Sequence, residues 1–266
     1  MNKSILVAAI ILALAVMACG FGGAAPTPTP IIEIVTATPL PPTVQPTQQV
    51  VQPTQPPVQP TQPVVQPTQS SGSSSSGLPF SDDFTNPNSG WEAGTYADGS
   101  VGYGNGYYFV NVTTKNSDLY GAATLDGISD SVLSVDAAQF TGPSDNNTAY
   151  GAICRLQNDS TNDGYYFRIT GDGQFSVVKY ANNSFTSLLP GTDEWQDAPS
   201  VNLGNVSNHI VITCNGTHLT FTVNGTTLFD GTDNTFSSGG FGLLGVVFED
   251  NATAEFHFTS FQAKAP

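Results

Sequence analysis

The side chains able to do acid–base chemistry are scattered. The chain has five glutamates, Glu33, Glu92, Glu194, Glu249 and Glu255, whereas cleaving a glycosidic bond with retention takes two carboxyl groups about 5 Å apart, one as nucleophile and one as acid. The densest acidic group is Asp193, Glu194 and Asp197, gathered around Trp195 in a loop bounded by Pro190 and Pro199. Carboxylates beside an aromatic ring could serve a sugar; a solvated loop is the plainer reading. No G-x-S-x-G or H-E-x-x-H segment occurs, and His209, His218 and His257 are dispersed. Gly240-Phe241-Gly242-Leu243-Leu244-Gly245 matches G-x-G-x-x-G by letter. It runs into the strand-like Val246-Val247-Phe248, so no helix terminus follows to receive a phosphate. No catalytic residue and no organic cofactor is assigned.

A hard cation needs oxygen ligands, and two acidic groups qualify as candidates for a structural calcium: Asp82 with Asp83, and Asp159 with Asp163 near Asn162. Neither has EF-hand spacing, since the third and twelfth positions counted from Asp159 are Thr161 and Thr170. Binding of a sugar has better support. Sugars stack their apolar faces on aromatic rings and pair their hydroxyls with planar polar side chains. Arg155 and Gln157 alternate with Cys154 along one strand-like run and are expected on the face opposite it; Tyr166 and Arg168 occupy the matching face of the next run. With Trp195 at the rim, these five residues make a candidate ligand-binding groove. The competing reading pairs Arg155 and Arg168 with nearby acids on a surface short of positive charge.

The elements that would position them are strands. From residue 78 onward, turn signals come every ten or so residues, among them Asp163-Gly164, Asp172-Gly173, Asn215-Gly216 and Asn224-Gly225. Between them the runs alternate: Tyr165, Phe167 and Ile169 against Tyr166, Arg168 and Thr170; Leu219, Phe221 and Val223 against Thr220 and Thr222; Phe256 and Phe258 against Glu255, His257 and Thr259. A period of two with one apolar face predicts antiparallel sheet packed on a single side. The fold class is therefore all-β, an antiparallel two-sheet sandwich or jelly roll over residues 78–266. That segment holds Lys115, Arg155, Arg168, Lys179 and Lys264 against 20 of the 21 acids, so its net charge is 5 − 20 = −15. Such a surface has no basic footprint for phosphates, which excludes nucleic acid as a partner.

The first part of the chain serves placement. Residues 1–19 combine a basic start (Lys3), an apolar run from Ile5 to Val16 and Val16-Met17-Ala18-Cys19. The run is short for a membrane span, which takes about 20 residues, and reads as a signal peptide. Its end resembles the lipobox of bacterial lipoproteins, which implies cleavage before Cys19 and lipidation of that cysteine. Cys154 and Cys214 are then left as an even pair in an oxidising compartment, where a disulfide is the default expectation. Residues 20–77 form a disordered linker: 13 of the 19 prolines fall between Pro26 and Pro67, Gln-Pro-Thr recurs from Gln45, Gln52, Gln59 and Gln66, and a Ser/Gly stretch follows. As polyproline II, 46 residues from Ala24 to Gln69 would reach on the order of 140 Å, a stalk holding the domain off a membrane.

Several segments of 78–266 carry a family likeness. The opening Phe80-Ser81-Asp82-Asp83-Phe84 with Ser89-Gly90-Trp91 is one, and Tyr150-Gly151-Ala152-Ile153-Cys154-Arg155 leading into Gly164-Tyr165-Tyr166-Phe167-Arg168-Ile169 is another. With the hairpin around Asn224-Gly225, Gly240-Phe241-Gly242 and the closing run Ala254 to Phe261, they resemble the concanavalin A-like lectin/glucanase jelly rolls of bacterial surface lipoproteins. That superfamily includes laminin G-like binding domains, family-16 glycoside hydrolases and domains named 3-keto-disaccharide hydrolases. The likeness therefore implies a fold more than an activity. Family-16 enzymes set their acids as E-x-D-x-x-E, and none of the five glutamates begins that pattern. The expectation is a lipid-anchored, extracytoplasmic, surface-exposed protein that binds a carbohydrate or cell-surface glycan without catalysis and touches the membrane only through its anchor. A glycoside-acting hydrolase of the keto-disaccharide type and a structural or adhesive surface protein are the alternatives.

Overall fold

The computed structural model describes residues 77–157, 161–191 and 193–266, all within one unit of the chain, Gln66–Pro266. The expected signal peptide, Cys19, the linker up to residue 76 and Asp159 lie outside the described residues. The described residues contain strands and no helix. In chain order the strands are β1 (Phe80–Asp82), β2 (Gly94–Tyr96), β3 (Gly99–Tyr103), β4 (Tyr108–Val112), β5 (Leu119–Ala122), β6 (Ser131–Thr141), β7 (Thr148–Leu156) and β8 (Gly164–Thr170). They continue as β9 (Gln174–Ala181), β10 (Ser184–Ser187), β11 (Gln196–Asp197), β12 (Asn208–Asn215), β13 (His218–Val223), β14 (Thr226–Thr232), β15 (Gly240–Val247) and β16 (Ala254–Lys264).

Two antiparallel sheets result. The nine-stranded sheet runs β14-β13-β12-β6-β16-β4-β3-β2, with β1 added to β16; the seven-stranded sheet runs β10-β9-β8-β7-β15-β5, with β11 added to β9. Between them lies the main core, built from alternate residues such as Leu133, Val135 and Ala137 of β6, Phe256 and Phe258 of β16, and Tyr165, Phe167 and Ile169 of β8. The nine-stranded sheet obeys the single-sided pattern, with buried and part-exposed residues alternating along β6, β12 and β16. Cys154 of β7 and Cys214 of β12 are fully buried and disulfide-bonded, tying one sheet to the other across a sequence separation of 60.

The seven-stranded sheet departs from the single-sided expectation. Every residue of β7, β8 and β15 is buried. The reason is a second apolar cluster on the outer face, made of Ile153, Leu156, Tyr166, Val178, Leu244 and Val246, against which Trp195, Tyr180 and Phe248 pack. Sheets buried on both sides read as continuous apolar runs, and Val246-Val247-Phe248 is part of one here.

Local chemistry explains the ends of these strands. In the opening motif, Asp82 Oδ1 accepts the Phe84 N–H at 2.7 Å and holds Phe84 at φ 57°. That turn carries the Phe84 ring into the core, 5.8 Å from Trp91 and 5.7 Å from Tyr108. Asn224 and Gly225 make the β13–β14 turn with φ of 51° and 82°, and Gly173 and Gly216 turn the β8–β9 and β12–β13 hairpins with positive φ. Asp163-Gly164 differs from expectation: the left-handed residue is Asn162, and Gly164 already belongs to β8. The β9–β10 turn is Asn182-Asn183, with φ of 53° and 61°, a left-handed pair without glycine.

Candidate functional site

Backbone register sets the outer face of the seven-stranded sheet. Tyr120 of β5, Leu244 of β15, Gly151 of β7, Arg168 of β8 and Ser176 of β9 stand in one row across it. Tyr166 lies in the adjoining row, opposite Ile153 and Val178. Gly151 is required beneath this row because a Cβ there would come 1.9 Å from the Phe167 carbonyl oxygen.

Arg168 is 3% exposed, and neighbours meet its two amino groups and both faces of its guanidinium. Its amino groups donate to Asp118 Oδ1 at 3.2 Å, to the Ser176 hydroxyl at 3.1 Å and, by a very short contact, to Glu194 Oε1. Its flat faces meet Phe185 and Trp195, with the guanidinium carbon 5.3 and 4.9 Å from the ring centres. Its Nε is buried with no hydrogen-bond partner among the described residues. Burial pushes the Asp118 carboxyl above the usual aspartate range; Arg168 pulls it down without cancelling that push, and the Glu194 charge adds to it.

Beside this cluster lie two recesses. One, of about 210 Å³, is lined by Asn116, Asp118, Tyr120, Tyr166, Tyr180 and Phe185; the other, of about 310 Å³, by Glu92, Tyr96, Asp98, Ser117, Tyr120 and Asn162 among others. Tyr166 is 2% exposed, its ring edge-on to Phe185 at 5.5 Å and its hydroxyl donating to the Asn162 carbonyl at 2.7 Å. Tyr120 donates to Asn162 Oδ1 at 2.7 Å. The Tyr96 hydroxyl donates to Glu92, and that bond, with burial behind it, raises the phenol to about 12.

Of the five expected groove residues, the structure brings three together here: Tyr166, Arg168 and Trp195. Arg155 and Gln157 sit elsewhere, and the physical reason is a bulge. Cys154 pairs with Phe241 and Leu156 with Gly240, so Arg155 has no partner in β15; it takes φ 51° and the alternation slips by one residue. Arg155 is 2% exposed and donates to the carbonyls of Ser129 at 2.9 Å and Phe236 at 2.7 Å, with Asp130 at 3.3 Å. Gln157 donates to the carbonyls of Arg155 and Ser238. Both residues hold loops together.

Of the acidic loop group, Glu194 reaches Arg168, whereas Asp193 is exposed and Asp197 lies in β11. The calcium candidates are engaged locally. Asp82 accepts from Phe84 N–H and the Ser89 hydroxyl, and Asp83 from Thr85 N–H and its hydroxyl. Asp163 Oδ1 is buried without a hydrogen-bond partner among the described residues. No group of three His, Cys, Asp or Glu side chains is gathered for a metal among the described residues.

Asp118, Tyr120, Phe185, Glu92, Tyr96 and Asp98 were missed by the sequence reading. The alternation of Asp118 and Tyr120 about the buried Leu119 was available. Which strand lies beside β15 was not.

No protein-family model and no curated protein matches the chain. Solved structures do. A β-glucanase of Bacillus licheniformis aligns with a TM-score of 0.54 at 10% identity, over 72% of this chain and 100% of that one. The likeness shows the fold, an antiparallel two-sheet jelly roll. The GH43 protein BlXynB of Bacillus licheniformis aligns with a TM-score of 0.51 at 14% identity, over 70% of this chain and 39% of that larger one. The carbohydrate-binding module CBM66 of Bacillus subtilis gives 0.45 at 18% identity, over 66% and 96%. At these identities, what the jelly roll shares with its neighbours is architecture.

Proposed function

We propose that this jelly roll binds a saccharide, without catalysis, on the outer face of its seven-stranded sheet. The observation that carries the reading is the pair of recesses walled by Tyr96, Tyr120, Tyr180 and Phe185 around the buried Arg168 cluster. Aromatic rings at a part-open recess give the stacking surfaces that pyranose rings use, and Asp118, Asn162 and Ser117 give hydrogen-bonding positions between them. On this reading Cys19 carries the lipid and residues 20–77 form the stalk, displaying the domain to glycans outside the cytoplasmic membrane. The test is calorimetric titration of the full-length protein with a panel of oligosaccharides and polysaccharides, with and without calcium. At least one binds, and Phe185→Ala and Tyr120→Ala each weaken it roughly tenfold, as loss of one stacking ring should, while thermal unfolding stays near that of the parent. A panel with no ligand overturns the reading.

One observation favours a hydrolytic second reading. Asp118, with its carboxyl pushed up, and Glu194 bond the same guanidinium, so two acids in unlike environments stand on one face. Turnover of a glycoside that disappears in both Asp118→Asn and Glu194→Gln would establish it.

A further inference from the structure

The chemistry of the two recesses is one-sided, and we infer that the saccharide they take carries free amino groups. This inference rests on the saccharide reading and specifies its ligand class. The aromatic walls make the site; its polar groups set its sign. Four carboxylates, Glu92, Asp98, Asp118 and Glu194, border the recesses or pair with Arg168. Against them stands one guanidinium, Arg168, whose two amino groups are taken by Asp118, Ser176 and Glu194 and whose faces are covered by Phe185 and Trp195. Lys115, next to the lining residue Asn116, lines neither recess and pairs with Asp250 at 3.2 Å. An acidic sugar would thus meet like charge in recesses that no Lys or Arg lines among the described residues.

The hydroxyl hydrogens of the recesses are committed inward as well. Tyr96 donates to Glu92, Ser117 to Asp98 Oδ2 at 2.8 Å, Tyr120 to Asn162 Oδ1 and Tyr166 to the Asn162 carbonyl. Tyr180 donates to Asn183 Oδ1 at 2.9 Å. A hydroxyl whose hydrogen is committed can serve a ligand only as an acceptor, and each carboxylate is an acceptor by nature. The fitting ligand supplies the donors. A hexosamine without its acetyl group does so with hydroxyls and an ammonium, while its apolar ring face remains free to stack on a phenol or phenyl ring.

The test compares β-1,4-linked tetramers of glucosamine, N-acetylglucosamine and glucose, and an oligouronate of equal length, by calorimetry on the full-length protein. It is run at a mildly acidic pH that protonates the amine and leaves exposed carboxylates ionised. The glucosamine tetramer should bind about tenfold tighter than the two neutral ones at low salt, the increment expected of two carboxylates at a solvent-open site, Glu92 exposed and Asp98 half-buried. The preference should shrink at high salt and in Glu92→Gln/Asp98→Asn, and the oligouronate should not bind. Neutralising two exposed acids outside the recesses, Asp126→Asn/Asp172→Asn, should leave the preference in place. Equal binding of amino and neutral tetramers, binding of the oligouronate, or equal loss of preference in that remote pair would overturn the inference while leaving saccharide binding standing. Absence of binding by every tetramer and by the wider panel would remove both.

Discussion

Arg168 and Asp233 are the residues through which charge is coupled to folding. Replacing Arg168 with Met leaves Asp118, a mostly buried carboxyl, without its counter-ion, and should cost about 3 kcal/mol at neutral pH in urea unfolding. The carboxyl of Asp118 is already raised in the folded state and rises further without Arg168. A raised group stabilises fully below its unfolded value and loses that contribution as pH climbs through its folded value, so the deficit of the variant should narrow as pH falls toward about 4. Asp233 has the opposite sign. Burial would raise it, but hydrogen bonds from Lys179, Thr235 and Tyr165 prevail and hold it at about 2. Its contribution, about 2 kcal/mol, is present above the unfolded value and lost as pH falls from about 4 toward 2. Asp233→Asn should flatten the stability profile in that window; an unchanged acid limb would contradict the assignment.

At the scale of the strand, the sequence was readable where a period of two meets one buried face, as in β6, β12, β13 and β16, and where glycine marks a hairpin. The Cys154–Cys214 bridge was legible too, as the even pair left once Cys19 is set aside. The site was only half legible. Tyr166 and Arg168 follow from the alternation of β8, but a single bulge turned Arg155 from a groove residue into a loop clamp, and one residue of slip leaves no trace in composition. Asp118, just before β5, and Phe185 of β10 come to Arg168 from opposite edges of the sheet, and that neighbourhood is a property of strand order. Two outcomes belong to this scale. Gly151→Ala places a methyl against the Phe167 carbonyl, so β7 and β8 must part; a loss of about 1–3 kcal/mol in chemical unfolding is expected, with weakened ligand binding because Arg168 lies opposite. Removing the disulfide by Cys154→Ala/Cys214→Ala should cost roughly 4 kcal/mol on loop-closure entropy, measured against the oxidised parent. Both sulfurs are fully buried, so reductant should act only as fast as the sandwich opens.

Taken whole, the molecule carries a charge of −15 that the fold tolerates rather than uses. Lys115, Arg155, Arg168 and Lys179 are each tied to an acid, so the remaining carboxylates repel one another across the surface. Added sodium chloride should therefore raise the melting temperature between low and physiological ionic strength, as screening relieves that repulsion; a flat or falling curve in scanning calorimetry would show that the ion pairs outweigh it. The two tryptophans stand on opposite sides of one sheet. Trp91 is 5% exposed between the sheets, edge-on to Phe261 at 4.8 Å. Trp195 lies over Arg168 on the outer face, 5.7 Å from Phe248. The protein thus has two separate fluorophores: emission from Trp91 shifts red only when the sandwich opens, while emission from Trp195 reports on the outer face above Arg168. Trp195→Phe divides the two signals, so a saccharide bound as proposed should be detectable by light alone, without a label.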